Sequence, residues 1–355
     1  MTAEVAAGNA YRRAGVDIDA QDRALATVKE LVRSTVVPGV LSELGGFGGL
    51  FALSREMCEP VLVASADGVG TKLMVAKLAG DFSTVGADLV NHCVNDILVQ
   101  GARPLFFLDY VGAGALEPEQ VVALVGGVAA GCRDNGCALL GGETAEMPGF
   151  YQPGDYELVG FIVGATERGR LLGPARVRVG DMLIGLPSAG LHTNGYSLAR
   201  RVLFDGLGLR IDDWLPAPSG ERGAMPTVRE ALLAPHVSYL APVAELLDHP
   251  GLHAMAHVTG GGLTDNVPRS LPPGCRARIR LASWTVPPLF RLLGEAGGVA
   301  DDEMRRVFNL GVGMVLVVAA DARDEVLAHL ASAGRSGFGF GDVVAGEPGV
   351  EYVES

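Results

Sequence analysis

The stretch VLVASADGVGTKL, residues 61–73, runs from an apolar segment through a glycine-containing turn into the start of a helix. Its apolar part, residues 61–65, predicts a buried strand. Asp67 then stands at the strand end, where a carboxylate can hold Mg²⁺, and the glycine amides of the turn can approach phosphate oxygens. Thr71 and Lys72 lie where the following helix presents its positive end. The stretch suits a nucleoside triphosphate, although an Asp-Gly turn after a strand is more often only a turn.

Strands and helices alternate on both sides of this stretch, which predicts an α/β (α+β) chain. The chain holds no Gly-Lys pair and hence no Walker A loop, and no GxGxxG opens a Rossmann unit at this position. Predicted helices cover residues 19–34, with Asp19 as the cap, 83–100, 118–132, 196–203, 237–247, 287–295 and 323–331, and predicted strands cover 105–110, 138–140, 158–166, 182–186 and 312–319.

The length of 355 residues exceeds the roughly 100 to 200 residues typical of one domain. Between residues 167 and 180, charges, glycine and proline replace apolar periodicity, which predicts a connection between domains. We therefore expect two domains, residues 1–168 and 169–355. Residues 206–226 are typical of an exposed insertion.

The composition excludes several classes of function. A formal net charge of −13 argues against a nucleic-acid-binding surface, which needs clustered cations. Apolar stretches are interrupted by glycine well short of the roughly 20 residues of a membrane span. The first residues lack a basic segment followed by an apolar one, so we expect a cytoplasmic protein. The five cysteines are odd in number and fit no zinc-knuckle spacing, which favours reduced thiols.

Polar residues interrupt apolar patterns at two places in the first half. Asn91, Asn95 and Asp96 fall within a predicted helix, and buried polar groups left unpaired cost roughly 1 to 3 kcal/mol, so a metal or water shell is one partner to expect. A solvated helix face is the alternative. Glu143 and Glu146 follow a short apolar run, where ligand-contacting loops of α/β sheets lie. Glu143 is the preferred site residue, and ordinary exposed loop acids are the alternative.

Glycine-rich segments supply further candidates. The segment SAGLHTNGYS, residues 188–197, follows a strand and opens a helix, so its amides, hydroxyls and imidazole suit a phosphate or a proton transfer. A second turn, HVTGGG at residues 257–262, has the bare backbone that suits an anion, and a plain tight turn is the alternative. The cluster at residues 45–49 can also bring amides near a ligand. Three of the 28 basic residues are lysines, so Lys29 and Lys72 are candidates for roles that need a compact ammonium.

Taken together, these segments resemble the signature of the phosphoribosylformylglycinamidine cyclo-ligase (aminoimidazole ribonucleotide synthetase) family. The resemblance spans residues 15 to 314 in the family order. The motifs are GVDID at 15–19, DGVGTK at 67–72, VND at 94–96, PLFFLDY at 104–110, GGETAEMPG at 141–149, HTNGYS at 192–197, HVTGGG at 257–262 and FNLGVGM at 308–314.

The resemblance implies a two-domain fold whose N-terminal ATP-binding domains pair in a homodimer, with their sheets joined into one central barrel. It also implies the conversion of formylglycinamidine ribonucleotide and ATP to aminoimidazole ribonucleotide, ADP and phosphate. ATP would phosphorylate the formamide oxygen to an iminophosphate, and the amidine-side nitrogen would then close the ring. Such catalysis consists mostly of positioning and charge neutralisation.

The resemblance further implies roles for particular residues. Mg²⁺ would be held by Asp67, Asp96 and Asn95. Phosphates of ATP would meet Lys29, Lys72, Thr71 and the amides of Gly68 and Gly70, with Glu143 in the same site. The substrate ribose phosphate and proton handling would fall to His192, Asn194, Ser197, His257, Thr259, Gly260 and Gly261, and the catalytic set would be Asp67, Lys72, Asp96 and His192.

One position departs from the pattern, because Asp265 stands before Asn266 where the family pattern has glutamate, which puts any role for Asp265 in doubt. Other ATP-using enzymes of this architecture differ in identifiable ways. Selenophosphate synthetase needs a cysteine or selenocysteine in its N-terminal glycine loop, and residues 45–49 hold none. A nucleotide-sensing or scaffold protein on the same fold would have lost the phosphate-site carboxylates, which are present here.

Overall fold

The computed structural model describes residues 27–43 and 45–354, which form two α/β units with one sheet each. Residues 27–33 are helical and form the described part of helix α1. The GVDID motif and the predicted cap Asp19 lie outside the described residues. Among the helices of the described residues, none combines the length and the apolar character that a membrane crossing requires.

The first unit is a four-stranded sheet with helices packed on one face. Its strand order is β1-β4-β2-β3, with β4 antiparallel to β1 and β2, and β2 parallel to β3. The strands are β1 (Pro60–Gly68), β2 (Arg103–Ala113), β3 (Ala138–Glu146) and β4 (Tyr156–Glu167), and the helices are α2 (Lys72–Ala79), α3 (Val85–Leu98) and α4 (Pro118–Asp134).

Helices α3 and α4 cross at a glycine contact. A Cβ at Gly86 would lie 2.3 Å from the carbonyl oxygen of Leu124, so only glycine allows this approach. The opposite face of the sheet carries exposed apolar side chains, among them Leu62 at 57% and Phe161 at 45% exposure. The four described strands form an open sheet with β1 and β3 at its edges. The single chain therefore does not by itself form the expected barrel.

The second unit is a six-stranded sheet in the order β10-β7-β9-β5-β8-β6, antiparallel except for β10 with β7. Strand β8 is covered on both faces, since Val315 and Val317 pack in one apolar cluster and Leu316 and Val318 in another. The strands are β5 (Met182–Pro187), β6 (Leu252–His257), β7 (Cys275–Arg280), β8 (Val312–Val318), β9 (Phe338–Ala345) and β10 (Val350–Val353), and the helices are α5 (Tyr196–Arg200), α6 (Val228–Leu233), α7 (Leu240–Val243), α8 (Gly262–Asn266), α9 (Pro288–Gly297), α10 (Asp301–Val307) and α11 (Arg323–Ser332).

The structure corrects several predicted elements. Strand β3 continues through Glu146, so Glu143 and Glu146 lie in a strand and not in a following loop. The predicted helix at 237–247 is split into α7 and a short 3₁₀ turn, Leu246–Asp248, and the helix predicted at 196–203 changes to a π-helical turn at Arg201–Gly206. Strands β6, β7, β9 and β10 were not predicted. Residues 206–226 are mainly exposed, although Leu215 and Met225 are buried in the core.

Candidate active site

Two carboxylates of the first unit meet one imidazole at the boundary with the second unit. Asp67 is near the end of β1, on the face of the sheet that the helices cover. Asp96 lies one turn after His92 on α3. The His92 Nε2 atom lies 2.7 Å from Asp67 Oδ2 and 3.8 Å from Asp96 Oδ2. Ser65 donates to Asp96 Oδ2 at 2.9 Å. The Asp67 and Asp96 side chains are 42% and 26% exposed, so an ion could reach both.

The electrostatics keep both carboxylates ionised at neutral pH. Burial alone would raise the pKa of Asp67, but the hydrogen bond from His92 and its charge outweigh burial and lower the pKa below its ordinary value. Burial also acts to raise the pKa of Asp96, and the contacts with His257, His92 and Ser65 lower it overall. For His92, burial acts to lower the pKa, but the neighbouring Asp67 and Asp96 outweigh burial. The pKa of His92 is therefore raised above its ordinary value. The site is thus a small anionic centre.

Hydrogen bonds extend this centre into the second unit. His92 Nδ1 lies 2.6 Å from Thr193 Oγ1, which lies 3.4 Å from His236 Nδ1. His236 Nε2 lies 3.1 Å from His257 Nε2, and His257 Nδ1 lies 2.9 Å from Asp96 Oδ1. Burial lowers the pKa of His236 and of His257, so both rings are neutral at pH 7.

Two residues predicted for this site lie elsewhere. The Asn95 side chain is fully buried, with Oδ1 accepting from the Tyr239 N–H at 3.0 Å and Nδ2 donating to the Val237 carbonyl at 2.8 Å. Lys72 is also fully buried, and its Nζ lies 2.6 Å from Asp88 Oδ2. Both side chains connect the two units. The magnesium role of Asn95 and the phosphate role of Lys72 therefore stay predictions that this arrangement does not support.

The HTNGYS segment presents unpartnered donors. His192 has φ of 62°, a left-handed conformation unusual for histidine, and its ring stacks on His236 at 4.0 Å between centroids. Because His192 Nε2 accepts from the Ala189 N–H at 3.2 Å, Nδ1 carries the hydrogen. Across the described residues, His192 Nδ1 and Asn194 Nδ2 are buried without a hydrogen-bond partner. Burial lowers the pKa of His192 well below its ordinary value, so the ring is a neutral donor.

The remaining predicted contacts bring the glycine turns of both units together. Thr71 Oγ1 lies 3.3 Å from Ser197 Oγ, which joins the DGVGTK and HTNGYS segments. A Cβ at Gly260 would lie 3.3 Å from Asn194 Oδ1, so the HVTGGG turn faces the same loop. Within that turn Thr259 bonds to Asn266 at 3.3 Å and Gly261 has φ of 99°. The Asp265 side chain lies beside Gly261 of this turn and pairs with Arg306 at 3.1 Å on the surface.

A second group of predicted residues lines a separate cavity of about 890 Å³ in the first unit. Lys29 of α1 and Glu143 of β3 line it together with glycine segment 45–49 (Gly45, Gly46, Gly48 and Gly49, and Phe47). Glu143 Oε1 accepts from the neighbouring Thr144 N–H at 2.8 Å. The cavity lining thus combines one cation, Lys29, with three acids, Glu43, Asp109 and Glu143, and with glycine backbone amides.

Asp109 is the cavity residue that the sequence interpretation missed. Burial raises its pKa to about 7, and its Oδ2 is sealed from solvent with no hydrogen-bond partner among residues 27–43 and 45–354. In the sheet register Asp67 and Asp109 both pair with Gly160, so they occupy one row on the same face. The signal for Asp109 was available as the single acid in the apolar run PLFFLDY. His92 and His236 had no comparable signal, since only the fold brings them together, whereas Thr193 belongs to the HTNGYS segment that the sequence had singled out.

The two sheets and this boundary site define the class of protein. Residues 55–166 match the family model described as AIR synthase related protein, N-terminal domain, and residues 178–353 match the model of the corresponding C-terminal domain. The fold is shared by solved structures of low sequence identity. A thiamine-monophosphate kinase from Stenotrophomonas maltophilia has a TM-score of 0.65 at 20% identity, covering 93% of this chain and 96% of that one. E. coli HypE has a TM-score of 0.64 at 20% identity, covering 94% and 93%.

Curated relatives narrow the class. A phosphoribosylformylglycinamidine cyclo-ligase of Geobacter sulfurreducens is 50% identical over 348 residues, 98% of each chain. Those of Geobacter metallireducens and Desulfitobacterium hafniense are 51% and 49% identical, covering 98% of this chain and 99% and 100% of theirs. The chain belongs to the phosphoribosylformylglycinamidine cyclo-ligase family.

Proposed function

We propose that this chain catalyses the ATP-dependent cyclisation of formylglycinamidine ribonucleotide to 5-aminoimidazole ribonucleotide, with release of ADP and phosphate, in purine biosynthesis. One observation carries the proposal. Two ionised carboxylates, Asp67 and Asp96, lie beside the same imidazole, next to second-unit loops that hold unpartnered donors. The reaction is inferred from the family to which the chain belongs, and the carboxylates and donors of the boundary site supply the charges that this reaction needs.

The cavity of the first unit is the proposed ATP site. Lys29 offers one positive charge, and glycine segment 45–49 offers backbone amides that can approach phosphate oxygens. Thr71 and the Gly70 amide are proposed to contact the phosphates nearer the boundary between the units, where Thr71 meets Ser197. The Gly68 N–H would have to exchange its hydrogen bond to Asp67 Oδ1 for a phosphate oxygen. Glu143 is proposed to orient the nucleotide from β3.

Asp67 and Asp96 are the proposed magnesium ligands, because Mg²⁺ prefers carboxylate oxygens and keeps several waters. Their lowered pKa values and partial exposure fit that ion. When bound, Mg²⁺ would neutralise negative charge on the triphosphate. Asn95 is left out of this set, since its amide is committed to Tyr239 and Val237.

The substrate ribose phosphate is proposed to bind between the HTNGYS and HVTGGG segments. Buried donors without partners cost free energy unless a ligand satisfies them, and His192 Nδ1 and Asn194 Nδ2 are two such donors, so an anion is the proposed ligand of this segment. Ser197, Thr259 and the amides of Gly260 and Gly261 add hydroxyl and backbone donors around the same position. His257 then faces this pocket from the end of β6.

The proposed chemistry follows from the poor leaving ability of a formamide oxygen. ATP transfers its γ-phosphoryl group to that oxygen, which gives an iminophosphate. The amidine-side nitrogen attacks the same carbon, phosphate leaves with the oxygen, and the nitrogen loses a proton. The residues position both substrates and neutralise charge, so no protein nucleophile is required.

We also propose that two chains pair through the exposed apolar face of the first sheet, near Leu62 and Phe161, to complete a central barrel. In this arrangement residues 1–168 bind ATP and dimerise, and residues 169–355 supply the substrate loops. A cytoplasmic location is the expected one for this pathway.

The test is ADP release by purified protein with Mg²⁺ and ATP, with and without formylglycinamidine ribonucleotide. The expected result is ADP and aminoimidazole ribonucleotide in equal amounts, only when the substrate is present. Equal turnover with thiamine phosphate, or no imidazole product, would overturn the proposal.

A further inference from the structure

Three histidines converge at the boundary between the two units: His92 from α3, His236 from the loop before α7 and His257 from the end of β6. We call them the histidine cluster. All three side chains are buried, and one ring nitrogen from each lies within 4.8 Å of one from each of the others. The proposed reaction uses His257 at its edge and assigns nothing to His92 or His236.

The contacts of Asn95 determine which ring nitrogen of His236 carries the hydrogen. Asn95 Oδ1 accepts from the Tyr239 N–H at 3.0 Å and Asn95 Nδ2 donates to the Val237 carbonyl at 2.8 Å, so the two ends of the amide are distinguishable. The end that lies 3.2 Å from His236 Nε2 is therefore the N–H donor. His236 Nε2 consequently presents a lone pair, and its hydrogen is on Nδ1, toward Thr193.

The contact with Asp96 determines where the hydrogen of His257 lies. The His257 Nδ1 atom lies 2.9 Å from Asp96 Oδ1, and a carboxylate can only accept, so Nδ1 carries a hydrogen. In the neutral ring the lone pair is then on Nε2. The two Nε2 atoms lie 3.1 Å apart, and an ion between them would take the His236 Nε2 lone pair in place of the Asn95 N–H. A close pair of acceptors repels unless a cation lies between them.

We propose that the histidine cluster binds a divalent transition-metal ion of the zinc type. Two nitrogens bound to tetrahedral zinc at about 2.05 Å stand about 3.3 Å apart, close to the separation of the two Nε2 atoms. His92 is the third ligand and releases its hydrogen bond to Thr193 or Asp67 on coordination. A water or substrate atom takes the fourth position.

The surroundings match what such an ion requires. Histidine ligands of zinc usually donate their second N–H to a carboxylate, and His257 already does so to Asp96. The negative charges of Asp67 and Asp96 offset the charge of the ion. Neutral imidazoles favour zinc, cobalt or nickel, whereas Mg²⁺ prefers oxygen ligands, so this site and the proposed magnesium site differ in metal.

The ion would also join the two units, because His92 belongs to the first and the other two histidines to the second. Any ligand that binds the folded state alone raises its stability. Metal binding is therefore measurable without turnover. Zinc binding can be shown or ruled out whether or not the chain catalyses the cyclisation.

The first experiment titrates full-length, chelator-treated protein with Co²⁺ in the presence of excess Mg²⁺, and then with Zn²⁺ as competitor. We expect one equivalent per chain, the strong visible absorption of tetrahedral cobalt, its loss on Zn²⁺ addition and a higher melting temperature with Zn²⁺. X-ray absorption at the zinc edge of the unmodified protein should show at least two imidazole ligands and no sulfur, which separates this site from the exposed Cys58.

The second experiment compares His236→Gln with His329→Gln, which changes a histidine on α11 outside the cluster. We expect His236→Gln to weaken Zn²⁺ binding at least about 100-fold, because losing a ligand costs more than losing an outer partner. His329→Gln should bind as the unmodified protein does.

Three results would overturn the proposal: no cobalt bound in the presence of Mg²⁺, a zinc edge spectrum without imidazole, or unchanged Zn²⁺ affinity in folded His236→Gln. The first would mean that a shared proton lies between His236 and His257. Should His236→Gln fail to fold, His92→Gln and the edge spectrum of the unmodified protein decide the question.

Discussion

Lys72 Nζ lies 2.6 Å from Asp88 Oδ2, and neither side chain is exposed. The ammonium also donates to the Ala234 carbonyl at 2.8 Å, and Asp88 Oδ1 accepts from the His236 backbone N–H at 2.6 Å. Because Ala234 and His236 belong to the second unit, this ion pair fastens the two units together. Burial lowers the pKa of Lys72 and raises that of Asp88, and their mutual attraction opposes both shifts.

Lys72→Met is therefore expected to lower the free energy of unfolding by about 3 to 5 kcal/mol, since it leaves a buried charge without its partner. Urea denaturation measures the change. The double variant Lys72→Met with Asp88→Leu should recover part of the loss, because no lone charge remains although the His236 N–H loses its acceptor. Lys77→Met, which breaks the exposed pair with Asp155, should cost less than about 1 kcal/mol.

Full stability of Lys72→Met with strongly reduced turnover would contradict this structural role. It would instead favour the phosphate contact that the sequence predicts for Lys72. The two roles are thus distinguished by one pair of measurements.

The sequence predicted the parts of the fold that local patterns encode. Helix α4 has apolar residues at helical spacing and strand β8 is a continuous apolar run, and both were predicted close to their observed bounds. Strand β7, CRARIR, alternates with arginine and has too little apolar character for a prediction. The burial of Lys72 could not be predicted either, because its partners Asp88 and Ala234 lie 16 and 162 residues away and meet it only in the folded chain.

The candidate site also contains residues that local patterns indicate and residues that only the folded chain brings together. Glycine-rich turns and acids near strands are local signals, and they singled out Asp67, Glu143 and the two second-unit loops as candidates, although Glu143 lies within β3 and not after a strand. The histidine cluster depends on three separate elements, so no spacing in the sequence indicates it. Asn95 was expected to have a partner, and its amide contacts backbone groups of Tyr239 and Val237 and the His236 ring, while its magnesium role stays a prediction.

Asp67→Asn is expected to slow turnover by about 100 to 1,000-fold, since it removes a charge placed where phosphate charge develops. The rate should be measured across a range of Mg²⁺ concentrations, and circular dichroism should confirm the fold. Asp324→Asn, at a side chain 88% exposed on α11, is the matched control and should keep the parental rate. Near-normal turnover in folded Asp67→Asn would remove this residue from the mechanism.

Asp109 is expected to make stability depend on pH. Burial raises its pKa from 3.8 to about 7, so between these values the folded chain keeps a proton that the unfolded chain has released. The free energy of unfolding therefore falls as pH rises through this window, by at most about 4 kcal/mol at about 1.4 kcal/mol per unit. Asp109→Asn cannot titrate and should lose less stability between pH 5 and pH 8 in urea denaturation. Equal losses in variant and parent would rule out this buried proton.

Leu62→Glu is expected to weaken the proposed dimer, because it places a charge on the exposed apolar face of the first sheet. Sedimentation velocity at several concentrations should show a shift from dimer toward monomer. Val179→Glu adds the same charge at an apolar side chain of similar exposure outside that sheet, 56% against 57%, and should not change association. An unchanged dimer in Leu62→Glu would place the interface elsewhere, and a monomeric parent would remove the barrel from the proposal.

Lys29 and Asn194 separate the two proposed binding sites, because they lie in different parts of the molecule. Lys29 lines the cavity of the first unit, so Lys29→Met should raise the KM for ATP and leave the KM for formylglycinamidine ribonucleotide nearly unchanged. Asn194 Nδ2 has no partner in the described part of the chain, so Asn194→Ala should do the opposite. Hydrogen bonds to charged groups contribute about 1.5 to 3 kcal/mol, which corresponds to roughly 10 to 150-fold in KM where KM reports binding. Initial rates with each substrate varied in turn measure both constants. If both variants raised the same KM, the cavity and the second-unit loops would contact one ligand, and the proposed division between ATP and ribose phosphate would be wrong.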